Sequence, residues 1–358
     1  MPRREILVSG TSRNFSHGRP IYETVPEFAV NFDLAQYELV SSGSAQFLVL
    51  FNHEESIYRK FIKAGGVPSR TVLIRLEPDT VFPAQYSRRV EGKYGLVISL
   101  GAAIKIKSDA ENYGWPYKYH LNPAEPNSKD PELALVLEKI SQDQTYSYER
   151  WLERSHKLVM VAGNKVSPMA NSNYAIRRKL ASEMSPSLLE VYGPLWNESF
   201  YIKLRHRLAV LVAGIKQGTA PNLKEIYASL FKRYRTTRGT VLDKHNLLKD
   251  TQFSLIVENS NSIVTEKIFD ALINGSIPIY VGPSLEDFGV PNNIALHVSG
   301  NSETIELILE ELEENEIKLL LDSIKEFVSS EYFKLNWHSD IVYKNVSEKV
   351  KSYIDSIK

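Results

Sequence analysis

This sequence predicts a two-part α/β fold, and three observations carry that expectation. Short apolar runs rich in Val and Ile alternate with stretches whose apolar residues recur every three or four positions, the pattern of strands interleaved with helices. The strand-like runs are apolar almost throughout, as expected where both faces of a parallel sheet are covered. At 358 residues the chain is also too long for one comfortable core and suits two domains of ordinary size. The halves are expected at residues 1–155 and 156–335, with residues 336–358 forming a last helix that packs back on the first half.

Bulk composition narrows the function classes. Lys and Arg number 43, as do Asp and Glu. Such a balanced chain has no global field to hold nucleic acid or an anionic membrane, although local patches remain open. The 43% hydrophobic and 24% charged shares are those of a soluble globular enzyme. Tyrosine is frequent, at 19 residues, and its amphipathic ring suits the faces of sugars. With no cysteine there is neither a disulfide nor a thiolate zinc site, which fits a reducing compartment. Met1-Pro2-Arg3-Arg4-Glu5 leads into an apolar run far too short for a signal or a membrane span. The expected location is therefore cytoplasmic, including the cytoplasmic face of the inner membrane. The triplets Asn14-Phe15-Ser16 and Asn197-Glu198-Ser199 then read as chance glycosylation matches.

In the first half, Ile6–Val8 reads as a strand entering the polar loop Ser9-Gly10-Thr11. Phe47–Phe51 is a second strand, ending in Asn52-His53-Glu54-Glu55. A helix follows through Ile57, Phe61 and Ile62 and stops at Gly65-Gly66. Val72–Ile74 is the next strand, running into Arg75-Leu76-Glu77-Pro78, and the amphipathic stretch Tyr86–Val90 leads to the strand Leu96–Ser99. Residues 107–131 are irregular and hold Trp115-Pro116-Tyr117-Lys118-Tyr119-His120; an aromatic-rich loop of that length inside a domain suits a binding or lid role. A helix near Leu133–Ile140 and the charged segment Glu149–Arg154 close the half.

The second half opens on the strand Leu158–Ala162, then a polar loop, Ser167–Ala175, and a helix from Ile176 to Glu183. Its centre is the stretch Phe253–Pro283. Phe253–Val257 is a buried strand with Glu258 and Asn259 at its carboxyl end, the end at which parallel sheets bind ligands. Thr265 is placed to cap a helix with Ile268, Ala271 and Leu272 on its buried face, and Asn274-Gly275 stops it. Ile279–Val281 is the closing strand, with Pro278 expected at its first residue because proline cannot donate to a ladder. Glu266 and Lys267 fall in the helix's first turn, where free N–H groups and the dipole favour an anion. A mobile ammonium beside a carboxylate that can accept from sugar hydroxyls suits a nucleoside diphosphate sugar; an ordinary solvated first turn would carry the same pair. Downstream, helices are expected over about Glu303–Glu314 and Ile317–Phe327. In the last helix, roughly Ile341–Ile357, Ile341, Val346, Val350, Ile354 and Ile357 lie near one side. Its lysines allow at most peripheral membrane contact, diluted by Glu348 and Asp355.

One string overrides the bland reading. Val257-Glu258-Asn259-Ser260, Val264-Thr265-Glu266-Lys267, Ile277-Pro278-Ile279 and Gly282-Pro283 follow one another in order and resemble the signature of the α-1,3-fucosyltransferase family. Val257 stands where that family has phenylalanine, the loop is shorter than in many members, and Ile263 replaces a frequent tyrosine. The likeness runs, more loosely, through Val72–Pro78 and Tyr94–Ser99. The resemblance implies the GT-B architecture: two Rossmann-like α/β domains facing across a cleft, the first for the acceptor and the second for GDP-fucose. It implies inverting transfer of L-fucose to a GlcNAc- or Glc-containing β-galactoside, in α-1,3 or α-1,4 linkage, in protein glycosylation or lipopolysaccharide biosynthesis.

Inverting transfer needs a base for the acceptor hydroxyl, cations for the departing diphosphate, and a donor held in line. Glu77 ends an apolar strand, and the family's matching glutamate is its base; a loop glutamate paired with Arg75 or Arg70 is the plain alternative. Glu54 and Glu55 compete for the role or, with His53, bind acceptor hydroxyls. The resemblance assigns Arg177 and Lys267 to the diphosphate, with Arg178 one residue from the match. It assigns Glu266 to the ribose, and Glu258 and Asn259 to the sugar and phosphate site. Lys165 is a weaker candidate. No Asp-x-Asp motif sits at a strand end, so no metal is expected to be required, though a divalent ion could stimulate turnover. The partners expected are a GDP-sugar and an oligosaccharide, not nucleic acid; oligomeric state is not legible. Rival readings are a transferase for another GDP-sugar, a sugar-nucleotide 2-epimerase, and a non-catalytic GDP- or glycan-binding relative.

Overall fold

The structure, a computed structural model, describes residues 4–10, 38–40, 45–103, 110–117, 137–138, 144–216 and 222–357. It divides into two compact units, one formed by Met1–Pro116 with Leu335–Lys358 and the other by Tyr117–Lys334. The first unit holds β1 (Glu5–Gly10), β2 (Glu38–Leu39), β3 (Phe47–Phe51), β4 (Thr71–Arg75), β5 (Leu96–Leu100) and β6 (Glu111–Tyr113). They form a parallel sheet of order β2-β1-β3-β4-β5-β6. Side chains alternate across a strand, which is why β3 and β4 feed two separate cores. Phe47, Val49, Phe51, Val72 and Ile74 enter one core. Leu48, Leu50 and Leu73 enter the other, with Tyr58 and Phe61 of α1 (Glu55–Lys63) and Val90 of α2 (Arg88–Glu91). Each strand is thus apolar on both faces, as the unbroken runs foretold.

The second unit repeats the plan with another strand order. After α3 (Tyr148–Leu152) come β7 (His156–Val161), α4 (Tyr174–Glu183), β8 (Leu189–Tyr192), α5 (Phe200–Lys216), α6 (Leu223–Phe231) and β9 (Thr237–Gly239). Then follow α7 (Lys244–Lys249), β10 (Thr251–Val257), α8 (Glu266–Ile273), β11 (Ile277–Val281) and β12 (Leu296–His297), and two helices, α9 (Ser302–Glu311) and α10 (Glu314–Ser329). The parallel order β12-β11-β10-β7-β8-β9 reverses direction between β7 and β10, the switch point at which doubly wound sheets open a crevice beyond their carboxyl ends. Phe253, Leu255 and Val257 of β10 pair in register with Ile277, Ile279 and Val281 of β11.

Three expectations need amendment. The unit boundary falls at Pro116 rather than near 155, because the segment before β7 packs on the second sheet. The Trp151 ring meets Phe253 edge-on at 5.2 Å and its indole donates to the Gln252 carbonyl at 3.0 Å. The buried Arg154 guanidinium donates to the carbonyls of Thr251 and Gly275 at 2.9 and 2.6 Å. Pro278 sits second in β11, not first; β12 pairs only with Ile279 and Tyr280, leaving space beside a residue that has no N–H. The C-terminal helix, α11 (Ser339–Ser356), buries Val342 rather than Ile341, and Val342, Val346, Val350 and Ile354 form an i, i+4 ridge on the first sheet. Most of the aromatic loop 107–131, the helix expected near 133–140 and the triplet at Asn14 lie outside the described residues.

Candidate active site

The carboxyl ends of β7 and β10 converge on the signature loop. Two backbone contacts tie that loop to the one before α4: the Asn173 amide donates to the Asn259 carbonyl at 2.9 Å, and Ser172 bridges to Ser260. Glu258 is fully buried, and both its oxygens are used inside the loop. Oε1 accepts from the Thr265 amide at 2.9 Å, and Oε2 accepts from the Thr265 hydroxyl at 2.8 Å. A buried carboxylate is tolerated only when so partnered. Its role in the structure is to shape the loop. Thr265 does occupy the N-cap of α8, but its side chain makes no capping bond. Its hydroxyl instead gives to Glu258 and receives from Lys267 Nζ at 2.6 Å. Thr265 therefore gives the first-turn N–H groups of α8 no side-chain cap, and such groups are the natural partners of an anion.

Lys267 is the hub of this end. Its ammonium lies 3.5 Å from Glu258 and 3.6 Å from Glu266. Burial raises the Glu266 pKa, but the charges of Lys267, Lys244 and Lys165 and its own backbone N–H outweigh it and hold the carboxyl at about 2. Glu266 is thus a carboxylate at any physiological pH and accepts hydrogen bonds only. The two adjacent arginines, Arg177 and Arg178, turn to different partners. The Arg177 guanidinium, 2% exposed, donates twice to the Val257 carbonyl, at 3.1 and 2.6 Å, and once to Asn259 Oδ1 at 2.9 Å. Burial pushes its pKa down, opposed by Tyr174 and Glu258. Arg178 turns away to Glu225 and the Lys165 carbonyl. So Arg177, Glu258, Asn259, Glu266 and Lys267 share one rim, and Arg178 braces its outside.

Behind the rim lies a polar group that the motif does not include. Lys244 of α7 donates to Asp270 Oδ2 at 2.7 Å, and the Tyr117 hydroxyl donates to Oδ1 at 3.1 Å. Burial lowers the Lys244 pKa, but the carboxylates of Asp270 and Glu266 more than offset it, so the ammonium stays charged. A cavity of about 20 Å³ between β7, β10 and α8 has Ser254, Lys267 and Asp270 in its lining, room for one water. Lys244 and Asp270 lie 26 positions apart, and no sequence signal joins them.

In the first unit, Glu77 follows β4 at half-buried depth, on a loop held by its backbone. Asn52 stands at φ 59°, a left-handed conformation that asparagine tolerates better than most residues. Its Oδ1 accepts from the amides of Leu76 and Glu77 at 2.9 and 3.1 Å and from Gln85 Nε2 at 3.3 Å. The Glu77 carbonyl accepts from Gln85 Nε2 and the Tyr86 hydroxyl at 2.8 and 2.9 Å. Arg75, the residue considered as a partner for Glu77, pairs with Glu91 at 2.5 Å. Asn52, Gln85 and Tyr86 were not singled out from the sequence, although an asparagine closing a buried strand is a known left-handed position. His53 and Glu55 form a network of their own. Nδ1 of His53 meets the Tyr94 hydroxyl at 2.6 Å and Nε2 meets Glu55 at 2.9 Å. Glu55 also pairs with Arg59 and Lys93, which hold its carboxyl at about 2 against the opposing effect of burial. Burial pushes the His53 pKa down. Glu54 accepts from the Ser56 hydroxyl at 2.9 Å.

Comparison with known proteins bears on the fold. No family model matches the chain. Over 68 residues, 18% of its length, it is 43% identical to an Arabidopsis thaliana protein described as fucosyltransferase-like, a stretch covering only 13% of that relative. Among solved structures, an α1,3-fucosyltransferase with GDP aligns over 100% of this chain and 92% of its own, at TM-score 0.51 and 15% identity. An Anabaena protein, HepE, in complex with UDP and glucose aligns over 98% and 100%, at TM-score 0.52 and 10% identity. The fold is that of the GT-B glycosyltransferases. Beyond the fold, the similarity to a fucosyltransferase-like protein extends over that 68-residue stretch. Among the described residues, no helix is long and apolar enough to cross a membrane.

Proposed function

We propose that the chain is an inverting fucosyltransferase that moves L-fucose from GDP-fucose to a hydroxyl of a GlcNAc- or Glc-containing β-galactoside, forming an α-1,3 bond. The observation that carries this reading is the first turn of α8, which Thr265 leaves uncapped, flanked by Lys267 and Glu266 and joined by Glu258 to the end of β10. The diphosphate would lie against those N–H groups, with Lys267 taking its charge and Glu266 accepting from the ribose hydroxyls. Arg177 would contribute less as a direct ligand than as the clamp that fixes the Val257 carbonyl and Asn259. In the transfer step the acceptor oxygen bonds to fucose C1 as the bond from C1 to the β-phosphate oxygen breaks. The hydroxyl proton goes to Glu77, and GDP leaves with the bonding pair. Fixed cations do the neutralising, so turnover should survive EDTA.

The test is calorimetric titration with GDP, UDP and ADP, followed by GDP-fucose with a panel of soluble galactosides, reading GDP release and fucosylated product. GDP should bind in preference to the other two, and fucosylated product should form. Lys267→Ala should weaken GDP binding and lower the rate by about 10²-fold, the scale of losing one preorganised charge-stabilising donor. Equal binding of all three nucleotides, or a sugar-nucleotide isomer in place of product, would overturn the assignment.

A further inference from the structure

The helical hairpin α5–α6 is built inside out. Along α5, Tyr201, Arg205, Leu208, Val212 and Ile215 recur at alternating steps of four and three, the spacing of one helix face. That face points outward: Tyr201 is 73% and Ile215 74% exposed. The inward face carries a charge. Arg207 is wholly buried, donating to the Ser229 hydroxyl of α6 at 2.8 Å and to the Asn164 carbonyl at 2.5 Å. On α6, Leu223, Tyr227 and Phe231 are exposed as well. Phe231 joins the two helices through ring contacts with Phe200 at 5.5 Å and Tyr227 at 4.9 Å. Both helices thus turn large apolar side chains to solvent and are joined at one end by these rings, and solvent-facing apolar surfaces of this kind mark interaction surfaces.

Charge decides what this surface meets. Residues 200–238 hold nine Lys or Arg and a single Asp or Glu, in a chain whose totals are equal. The one acid, Glu225, is taken by Arg178. Arg205, Lys224, Arg233 and Arg235 are exposed and form no ion pair among the described residues. A second copy of the chain would set these like charges against each other. Nucleic acid would use the cations but leave the Leu, Val and Ile stripe in water, because phosphate contacts need no apolar partner. An anionic bilayer surface satisfies both halves: the apolar side chains enter the boundary of headgroups and acyl chains while the cations meet the headgroups. We infer that α5–α6 is a peripheral docking face for anionic membrane lipid, distinct from the C-terminal helix that the sequence had offered for membrane contact.

The test is co-sedimentation of the full chain with vesicles of phosphatidylcholine alone, or containing about a third phosphatidylglycerol, so that anionic charge is the variable. The chain should sediment with the anionic vesicles at low salt, leave them as salt rises, and ignore the neutral ones. Leu208→Ser with Val212→Ser should weaken binding about tenfold or more, since each exposed side chain loses its burial in the bilayer. Arg205→Glu with Arg233→Glu should do at least as much, at roughly fivefold per basic residue removed. These side chains face water, so circular dichroism should show the native fold in each variant. The inference is overturned if anionic vesicles fail to bind the chain, or if both variants sediment like the parent. It is overturned equally if the chain forms a dimer that the serine variant dissolves, or binds single-stranded DNA more tightly than the vesicles. The readout uses no sugar substrate, so its failure leaves the transferase reading untouched.

Discussion

After β10 the chain turns on charged and hydroxyl groups: Glu258 receives Thr265 twice, and Lys267 closes the turn onto the same hydroxyl. After β4 it turns on an amide, with Asn52 gathering the Leu76 and Glu77 backbone and the Gln85 side chain. Both devices hold a loop at the carboxyl end of a parallel strand, and both leave a carboxylate beside it. They differ in where their parts come from. The first is contained within ten residues of one strand-loop-helix passage; the second draws on three separate segments. A local device leaves a recognisable string in the sequence, whereas a distributed one leaves ordinary residues at ordinary places.

The sharpest way to break the comparison is to remove the two carboxylate roles separately. Glu77→Gln should lower turnover by about 10²–10⁴-fold while GDP affinity, read by calorimetry, stays within error, because a base acts only in the transition state. Equal loss of GDP binding would mean that Glu77 serves the donor and that the two loops do not divide the work. Next in size is the buried pair behind the donor loop. Lys244→Met takes the cation from the buried Asp270 carboxyl and leaves it the Tyr117 hydroxyl, so urea unfolding should show a loss of about 3–5 kcal/mol. Asn52→Gly keeps the left-handed backbone but deletes the acceptor. It should cost about 1–3 kcal/mol for the amides left unmet and should depress turnover more than GDP affinity. If affinity fell instead, the β4 loop would not be an acceptor-side device.

The smallest effect is electrostatic and common to both units. Glu55 and Glu266 each sit at about 2, well below the ordinary 4.5. A carboxyl lowered on folding stabilises the native state above its unfolded pKa, and that contribution fades as pH falls toward the folded value. Stability measured by urea midpoint should therefore decline from about pH 4.5 to 2, and Glu55→Gln or Glu266→Gln should each flatten part of the slope. Both side chains are more than a third exposed, so solvent screening keeps each contribution small. A slope unchanged in both variants would place the acid-sensitive groups elsewhere.

How much was legible follows the same division. Strands such as Phe47–Phe51 were readable to the residue because both of their faces are buried and no polar residue interrupts them. The α8 rim was readable because its charges are consecutive. The Lys244–Asp270 pair was not, since a contact across 26 residues has no local signature. Nor was the capping geometry of Thr265: a hydroxyl at an N-cap ordinarily serves the helix, and only the neighbouring buried Glu258 diverts it. The unit boundary was obscured because Trp151 and Arg154 belong to the sheet that follows them, and composition does not change there.

Position 52 carries an unusual set of demands for one side chain. The φ of 59° shuts out β-branched and bulky residues, leaving glycine, asparagine and aspartate as the undemanding choices. Glycine brings no acceptor for the Leu76 and Glu77 amides. Aspartate would bring a second anion to a stretch that already carries Glu77, and so would change how readily that carboxyl takes a proton. A saturation library screened for product should accordingly return asparagine there almost alone.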